Sequence, residues 1–283
     1  MLTHEEQIHH LLSQALLEDI GSGDHSTLSC IPANVTGKAI LKVKQEGLLA
    51  GVNIAKKILA LKEPTAQIDI YMQDGQRMQN GDIAFEIVAK VHTILQCERL
   101  ILNTMQRMSG IATLTAQYAA ELKGFKTQLL DTRKTTPNFR VLEKEAVKIG
   151  GGVNHRMGLY DMIMLKDNHI DFCGGLETAI QNAYDYIQSN NLKLKIEVET
   201  RSLEDVQIVL STGKVDRIML DNFSPEILSK AIELINGSLE TEASGGIHLE
   251  NIQQYAATGV DYISVGALIH QAKSLDLSLK AVI

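Results

Sequence analysis

Six short apolar runs, most of them separated by helix-like stretches, constrain the later two-thirds of this 283-residue chain. The runs fall at Thr127–Leu130, Met162–Leu165, Leu194–Val198, Arg217–Leu220, Leu239–Ala243 and Tyr262–Val265. Stretches with helical periodicity lie between them at Arg140–Ile149, Leu176–Ser189, Leu203–Leu210, Pro225–Leu234 and Leu249–Thr258. Strands that alternate with helices imply a parallel sheet, because parallel neighbours need a long crossover. Polar residues gather at the C-terminal end of each run: Asp131-Thr-Arg-Lys134, Lys166-Asp-Asn-His169, Glu197-Val-Glu199, Asp221-Asn222, Ser244-Gly-Gly246 and Gly266-Ala267. In an α/β barrel all such ends meet on one face. An open sheet gathers only the ends beside its switch point. Six functional-looking ends favour the barrel, and six clear strands instead of eight predict an incomplete or irregular one.

The earlier part of the chain reads differently. Thr3-His-Glu-Glu6 has the form of a capping box. Ile8, Leu11, Leu12, Ala15 and Leu16 follow at helical spacing until Gly21-Ser-Gly-Asp24 ends the pattern. Strand-like runs at Lys38–Val43 and Gln67–Tyr71 flank a helix around Val52–Leu61, with Asp74-Gly75 and Asn80-Gly81 as turns. Glu98 to Lys123 is a long helical stretch with Leu102, Met105 and Met108 on its core face, although Gly110 interrupts it. The chain therefore divides into a mixed α+β domain over 1–105 and an α/β-barrel domain over 106–283.

Composition narrows the function. The chain is 45% hydrophobic, has a net charge of −7 and lacks Trp. An acidic protein with few aromatics argues against general nucleic-acid binding. No run reaches the ~18 apolar residues of a membrane span. The first residues, MLTHEEQ, lack the pattern of a secretory signal. Cys30, Cys97 and Cys173 are far apart and form no C-x-x-C, which fits a reducing cytoplasm.

Against this acidic background, residues 131–169 carry seven Lys/Arg and five Asp/Glu. Arg133, Lys134, Arg156 and Lys166, with His155, are suited to oxyanions: Arg by bidentate bonds, Lys as a point charge. Gly150-Gly-Gly152 lets backbone approach a ligand. Ser244-Gly-Gly246 and Val265-Gly-Ala267 follow consecutive late strands, the usual place of a phosphate cradle in an α/β barrel. Glu197 and Glu199 alternate with Ile196 and Val198, so both carboxylates face the same way. They and Asp221 could pair with the cations, hold Mg²⁺ or bind substrate hydroxyls. Asp161 and Asp167 read as structural, Asp24 as a turn residue. His92, His248 and His270 receive no role.

In this order DTRKTTP, GGGVNHRMGLYDMIMLKDNHI, IEVET, MLDNFSP, EASGGI and GVDYISVGALIH resemble quinolinate phosphoribosyltransferase, and EDIGSGDHST and ERLILNTMQRMSG extend the resemblance over nearly the whole chain. The resemblance implies an N-terminal α/β sandwich domain and an incomplete α/β barrel of about six or seven strands, the last residues returning to the N-terminal domain. It implies phosphoribosyl transfer from 5-phosphoribosyl-1-diphosphate to quinolinate with decarboxylation, in NAD synthesis. Quinolinate's carboxylates would meet Arg133, His155, Arg156 and Lys166. Thr132 and Lys134 would contact substrate oxyanions. Glu199 and Asp221 would serve the ribose hydroxyls and Mg²⁺, directly or through water. Ser244, Gly245, Gly246, Val265, Gly266 and Ala267 would hold the 5-phosphate. Lys134, Lys166, Glu199 and Asp221 form the catalytic set. A homodimer or hexamer is implied, with Arg99 reaching a neighbouring subunit's site.

Two departures stand out. Asn138 replaces a common glycine, and GDHST differs from the usual early loop. Two other readings compete: a related phosphoribosyltransferase of the molybdate-operon type, and a non-catalytic phosphate-binding barrel. The full set of cations opposes the first, and the retained Glu199 and Asp221 oppose the second.

Overall fold

The computed structural model describes residues 2–282. The chain forms two compact units that are not simply successive. One comprises Met1–Ala116, Thr135–Gly151 and Leu268–Ile283; the other comprises Gln117–Lys134 and Gly152–Ala267.

The first unit opens with the helix His4–Ile20. Thr3 and Glu6 close the capping box, and Ile8, Leu12 and Leu16 form its buried stripe. Asp24 caps a second short helix, His25–Cys30, by accepting from the Thr27 N–H at 3.1 Å. Four antiparallel strands follow the spatial order Leu277–Val282, Thr36–Val43, Ile83–Lys90, Gln67–Ile70. The last residues thus return to this unit as a strand, with Leu279 opposite Leu41. Ala39, Leu41 and Val43 alternate inward, as a half-buried strand requires. The long helix Val91–Glu121 begins well before Glu98, and buries Leu102, Met105 and Met108. Gly110 has a packing reason: a Cβ there would lie 2.0 Å from the Lys273 carbonyl oxygen. On the same helix Arg107 donates to Glu143 Oε1 at 2.8 and 3.0 Å and to the carbonyls of Ile269 and Ala272, both at 2.8 Å. Fully buried Glu143 also accepts from the Thr136 N–H at 2.8 Å. Asn138 adopts φ 62°, a left-handed conformation that Asn tolerates well, so the turn survives without glycine.

The second unit contains six parallel strands. In chain order they are Gln128–Leu130, Ile163–Leu165, Ile196–Thr200, Arg217–Asp221, Glu240–Ser244 and Tyr262–Ser264. In space the first lies beside the sixth, and the sheet then runs down through the fifth, fourth and third to the second. The first and second strands are its two ends and do not pair. This is the expected incomplete barrel of six strands, each within two residues of its expected limits. The helices Leu176–Ser189, Leu203–Thr212 and Pro225–Ile235 match as closely. The helix Asp167–Cys173, directly after Lys166, was not anticipated.

Register assigns the two faces of this sheet. Val198 pairs with Ile218 and Ala243 with Leu220 and Ile263, giving an apolar face. The other face carries Glu197 opposite Arg217, Glu199 and Glu242 opposite Met219, and Ser244 opposite Asp221. Period-two geometry therefore lays charged side chains in rows along the strands. The rows end at the C-terminal edge in Glu199, Asp221 and Ser244.

Candidate active site

At that edge a cavity of about 530 Å³ opens. Ten of the residues singled out by sequence line it: Thr132, Arg133, Lys134, His155, Arg156, Lys166, Glu199, Asp221, Ser244 and Gly245. Asp167 and Asn222, which belong to the strand ends read from sequence, also line it, as do Met164, Met219, Glu242 and Ser264, which were not expected there. Gly246, Val265, Gly266 and Ala267 lie just beyond the cavity wall in sequence; Val265 is buried and donates its N–H to the Leu130 carbonyl at 3.0 Å. Arg99 is exposed on the long helix of the first unit.

Asp131 organises the cationic side. Fully buried, it accepts from the His155 N–H at 2.8 Å and from Asn154 Nδ2 at 2.6 Å. The 131–134 loop and the 154–156 loop are therefore tied together. Arg156 donates from Nη1 to the Met162 carbonyl at 3.2 Å. Asp161 accepts from the N–H groups of Met157 and Gly158 at 2.6 and 2.9 Å, the structural part expected of it. Burial and the nearby Arg133 charge both lower the proton affinity of the Arg156 guanidinium. Two such cations side by side at a half-buried wall favour an anion there.

The acidic side faces them. Burial, then the neighbouring Asp221 charge, raises the proton affinity of Glu199, while Lys166 opposes the rise. Burial raises Asp221 as well, against Lys166 and Asn222. Lys166 Nζ lies 3.8 Å from Glu199 Oε2. Half-buried carboxylates on adjacent strands, one of them raised by the other's charge, suit a hard divalent cation, which would relieve the repulsion and keep coordination sites for water or phosphate.

The backbone beside Asp221 is shaped for close approach. Asn222 takes φ 57°, and its N–H donates to the Ser244 carbonyl at 2.8 Å. Gly245 takes φ +88°, and a Cβ there would lie 2.2 Å from Asn222 Oδ1. Only glycine fits, and the next residue, Gly246, is also left-handed at φ +65°. Such turns aim backbone N–H groups at anions.

Beneath the cations is a buried ionic cluster. His155 Nε2 lies 3.0 Å from Glu197 Oε2 and 3.2 Å from Glu242 Oε2. Arg217 Nη1 lies 3.5 Å from Glu242 Oε2, and its guanidinium stacks on Tyr262 at 4.1 Å. Burial alone would push His155 down; the two carboxylates outweigh it and hold the imidazole up, at about 9. Burial, then the Glu242 charge, raises Glu197 to about 7, while His155 holds Glu242 down against burial. Glu197 was legible as inward-facing beside Glu199. Glu242 was not, because Glu240-Thr-Glu242 reads as an ordinary polar strand start; its only signal was the two-residue offset from Ser244.

The N-terminal family model of quinolinate phosphoribosyl transferase matches residues 24–109, and the C-terminal model matches residues 111–280. The chain belongs to the quinolinate phosphoribosyl transferase family. Within that family it is 41% identical to a mitochondrial quinolinate phosphoribosyltransferase [decarboxylating] of Nicotiana tabacum, over 95% of this chain and 81% of that one. It is also 41% identical to a probable nicotinate-nucleotide pyrophosphorylase [carboxylating] of Bacillus subtilis, over 96% of this chain and 93% of the relative. Among solved structures, NadC from Streptococcus pyogenes superposes with a TM-score of 0.91 at 40% identity, covering 100% of this chain and 99% of that one. The two family models together span most of the chain.

Proposed function

We propose that this enzyme transfers the phosphoribosyl group of 5-phosphoribosyl-1-diphosphate to the ring nitrogen of quinolinate, releasing pyrophosphate and carbon dioxide and leaving nicotinate mononucleotide, a step in NAD synthesis. The observation that carries this reading is the meeting, in one cavity, of Arg133, Arg156 and Lys166 with the acidic pair Glu199 and Asp221. A phosphate site has no use for those carboxylates, and a sugar site has no use for so many cations.

The dicarboxylate lies against Arg133, Arg156 and Lys166, over His155. Thr132 and Lys134 contact the oxyanions at the mouth. Glu199 and Asp221 accept from the ribose hydroxyls, and Ser244-Gly-Gly246 with Val265-Gly-Ala267 hold the 5-phosphate. The pyridine nitrogen then faces the anomeric carbon, which develops positive charge as pyrophosphate departs. No protein nucleophile is needed. Orientation of two bound anions supplies much of the rate. Glu199 and Asp221 would hold Mg²⁺, directly or through water, and the ion would supply charge stabilisation for the leaving group. After transfer the bond between the ring and the carboxylate beside the nitrogen breaks; carbon dioxide leaves, and the electron pair left on that ring carbon, stabilised by the pyridinium charge, takes a proton from water. The protein gains rate only from contacts that strengthen toward these transition states.

Two or more copies assemble in this reading, with Arg99 closing a neighbour's site. Exposed Arg99 supports it, as do Leu159, Tyr160 and Phe172, large apolar side chains that stand 73%, 45% and 93% exposed. The three free cysteines, and the absence among the described residues of a helix long and apolar enough to cross a membrane, fit the cytoplasm.

Purified enzyme with quinolinate, the ribose donor and Mg²⁺ should release carbon dioxide in equal amount with nicotinate mononucleotide. Turnover of a different ring acid, with none of quinolinate, would overturn the assignment.

A further inference from the structure

Arg201 stands one residue past the strand Ile196–Thr200, two residues on from Glu199 and four from Glu197. Period-two spacing thus continues the row of charges from the floor of the cavity, past its wall, to its rim. The backbone of Arg201 is fixed. Its N–H donates to Asp205 Oδ2 at 2.9 Å, and Ser202 caps the helix that follows by accepting from the Asp205 N–H at 3.1 Å. The guanidinium is held only loosely: Nη2 lies 3.4 Å from Asp167 Oδ2, and the two side chains are 51% and 47% exposed. A single ion pair so open to water is weak and readily exchanged. Asp167 itself lines the cavity, directly after Lys166. Burial raises the proton affinity of Asp221, and the charges of Lys166, Lys134 and Arg201 oppose that rise. Three cations therefore bear on the acidic wall from the rim.

We propose that Arg201 binds the diphosphate of the ribose donor and the pyrophosphate that leaves, its guanidinium exchanging Asp167 for two phosphate oxygens. The need is one of charge. The diphosphate carries more negative charge than any other group entering the cavity. Arg133, Arg156 and Lys166 meet the dicarboxylate, and the glycine turns take the 5-phosphate. Lys134 and the metal ion are left for the diphosphate, while Glu199 and Asp221 repel it from the wall. Arg201 adds a permanent charge and a planar fork that matches two oxygens at once. The rim also suits a group that must depart outward, since the ring acid lies deeper, over His155. Asp167 is the resting partner that keeps the arm beside the cavity while the site is empty. This inference rests on the reading that 5-phosphoribosyl-1-diphosphate is the donor.

The test is calorimetric titration of wild type, Arg201→Gln and Asp167→Asn with inorganic pyrophosphate in the presence of Mg²⁺, beside steady-state KM values for both substrates. Both substitutions break the same ion pair. Asparagine keeps an oxygen for the Asn168 N–H, which now donates to Asp167 Oδ1 at 2.7 Å. Arg201→Gln should weaken pyrophosphate binding and raise KM for the ribose donor, each about tenfold, as loss of a hydrogen bond between charged groups does. Its KM for quinolinate should stay as in wild type. Asp167→Asn should bind pyrophosphate no more weakly than wild type, because it frees the arm. Unchanged pyrophosphate affinity in Arg201→Gln, or a quinolinate KM raised as much as that of the donor, overturns the proposal. Weaker pyrophosphate binding in both variants overturns it too, since the pair is then a brace for the rim. Wild type that binds neither pyrophosphate nor the ribose donor defeats the underlying reading of the donor. Wild type that binds both, with Arg201→Gln binding them equally well, defeats the assignment of Arg201 alone.

Discussion

Lys166 Nζ stands 3.8 Å from Glu199 Oε2, so a cation assigned to the dicarboxylate also steadies the acidic pair assigned to the sugar. The two halves of the cavity are electrostatically joined there. Glu199 is held above its ordinary proton affinity by burial and Asp221, and Lys166 only partly offsets this. A carboxylate in that condition destabilises the folded state at neutral pH. Glu199→Gln should therefore leave Tm unchanged or raised while lowering kcat/KM on the order of a hundredfold, as loss of a transition-state contact does. Thermal melts beside steady-state rates check both halves. A clear fall in Tm would contradict the cost assigned to this carboxylate.

The buried cluster makes stability depend on pH. His155 is raised from an ordinary value near 6.5 to about 9 by Glu197 and Glu242, against burial; Arg217 and Arg156 are the cations facing the same cluster. A group raised on folding gives stability that is fully present below its unfolded value and lost as pH rises through its folded value. Stability should therefore fall between about pH 6.5 and 9, by on the order of 1–3 kcal/mol. Urea melts across that range read it directly. In His155→Gln the slope should flatten, whatever the absolute stability.

Gly245→Ala should damage the ribose-donor site specifically. The added Cβ would enter a left-handed residue and meet Asn222 Oδ1 at 2.2 Å. The backbone conformation alone costs about 1–2 kcal/mol. The side chain of Asn222 must also leave Asp221, to which it now donates at 2.6 Å. KM for the ribose donor should rise, and the quinolinate affinity of the free enzyme should change less. Isothermal titration with each substrate alone distinguishes them.

Gly110→Ala tests the packing of the long helix without touching the cavity. Alanine favours a helix by about 1 kcal/mol over glycine. Here its Cβ would sit 2.0 Å from the Lys273 carbonyl oxygen, which cannot rotate away. Overpacking should outweigh propensity, for a net loss of about 1–3 kcal/mol. A stabilised variant by denaturant melt would show that the Lys273 segment yields easily.

The parallel sheet was legible because most of its strands are short apolar runs closed by polar residues, and because the intervening helices keep a clean period. The cavity was legible for the same reason: residues at strand ends, such as Lys166, Glu199 and Asp221, meet if the barrel forms. What escaped notice depends on partners distant in sequence. The strand Ile83–Lys90 follows the Asn80-Gly81 turn, yet it stands out as a strand only through its pairing with Thr36–Val43 and Gln67–Ile70. Glu242 looks like a solvated strand residue until Glu197 and His155 arrive beside it. The helix Asp167–Cys173 buries no residue and so shows no apolar stripe. Gly110 read as a weakness in its helix, because the carbonyl that demands it comes more than 160 residues later.

The balanced floor of the barrel has an evolutionary side. His155 with Glu197 and Glu242, and Arg217 with Glu242 and Glu240, are paired where little water reaches. Exchanging any one of them leaves an uncompensated buried charge, which typically costs about 3–5 kcal/mol, a large part of a domain's whole stability. Single mutational steps away from this arrangement therefore pass through barely folded intermediates. The surface above it can drift one residue at a time, whereas the floor can change only by coordinated replacement.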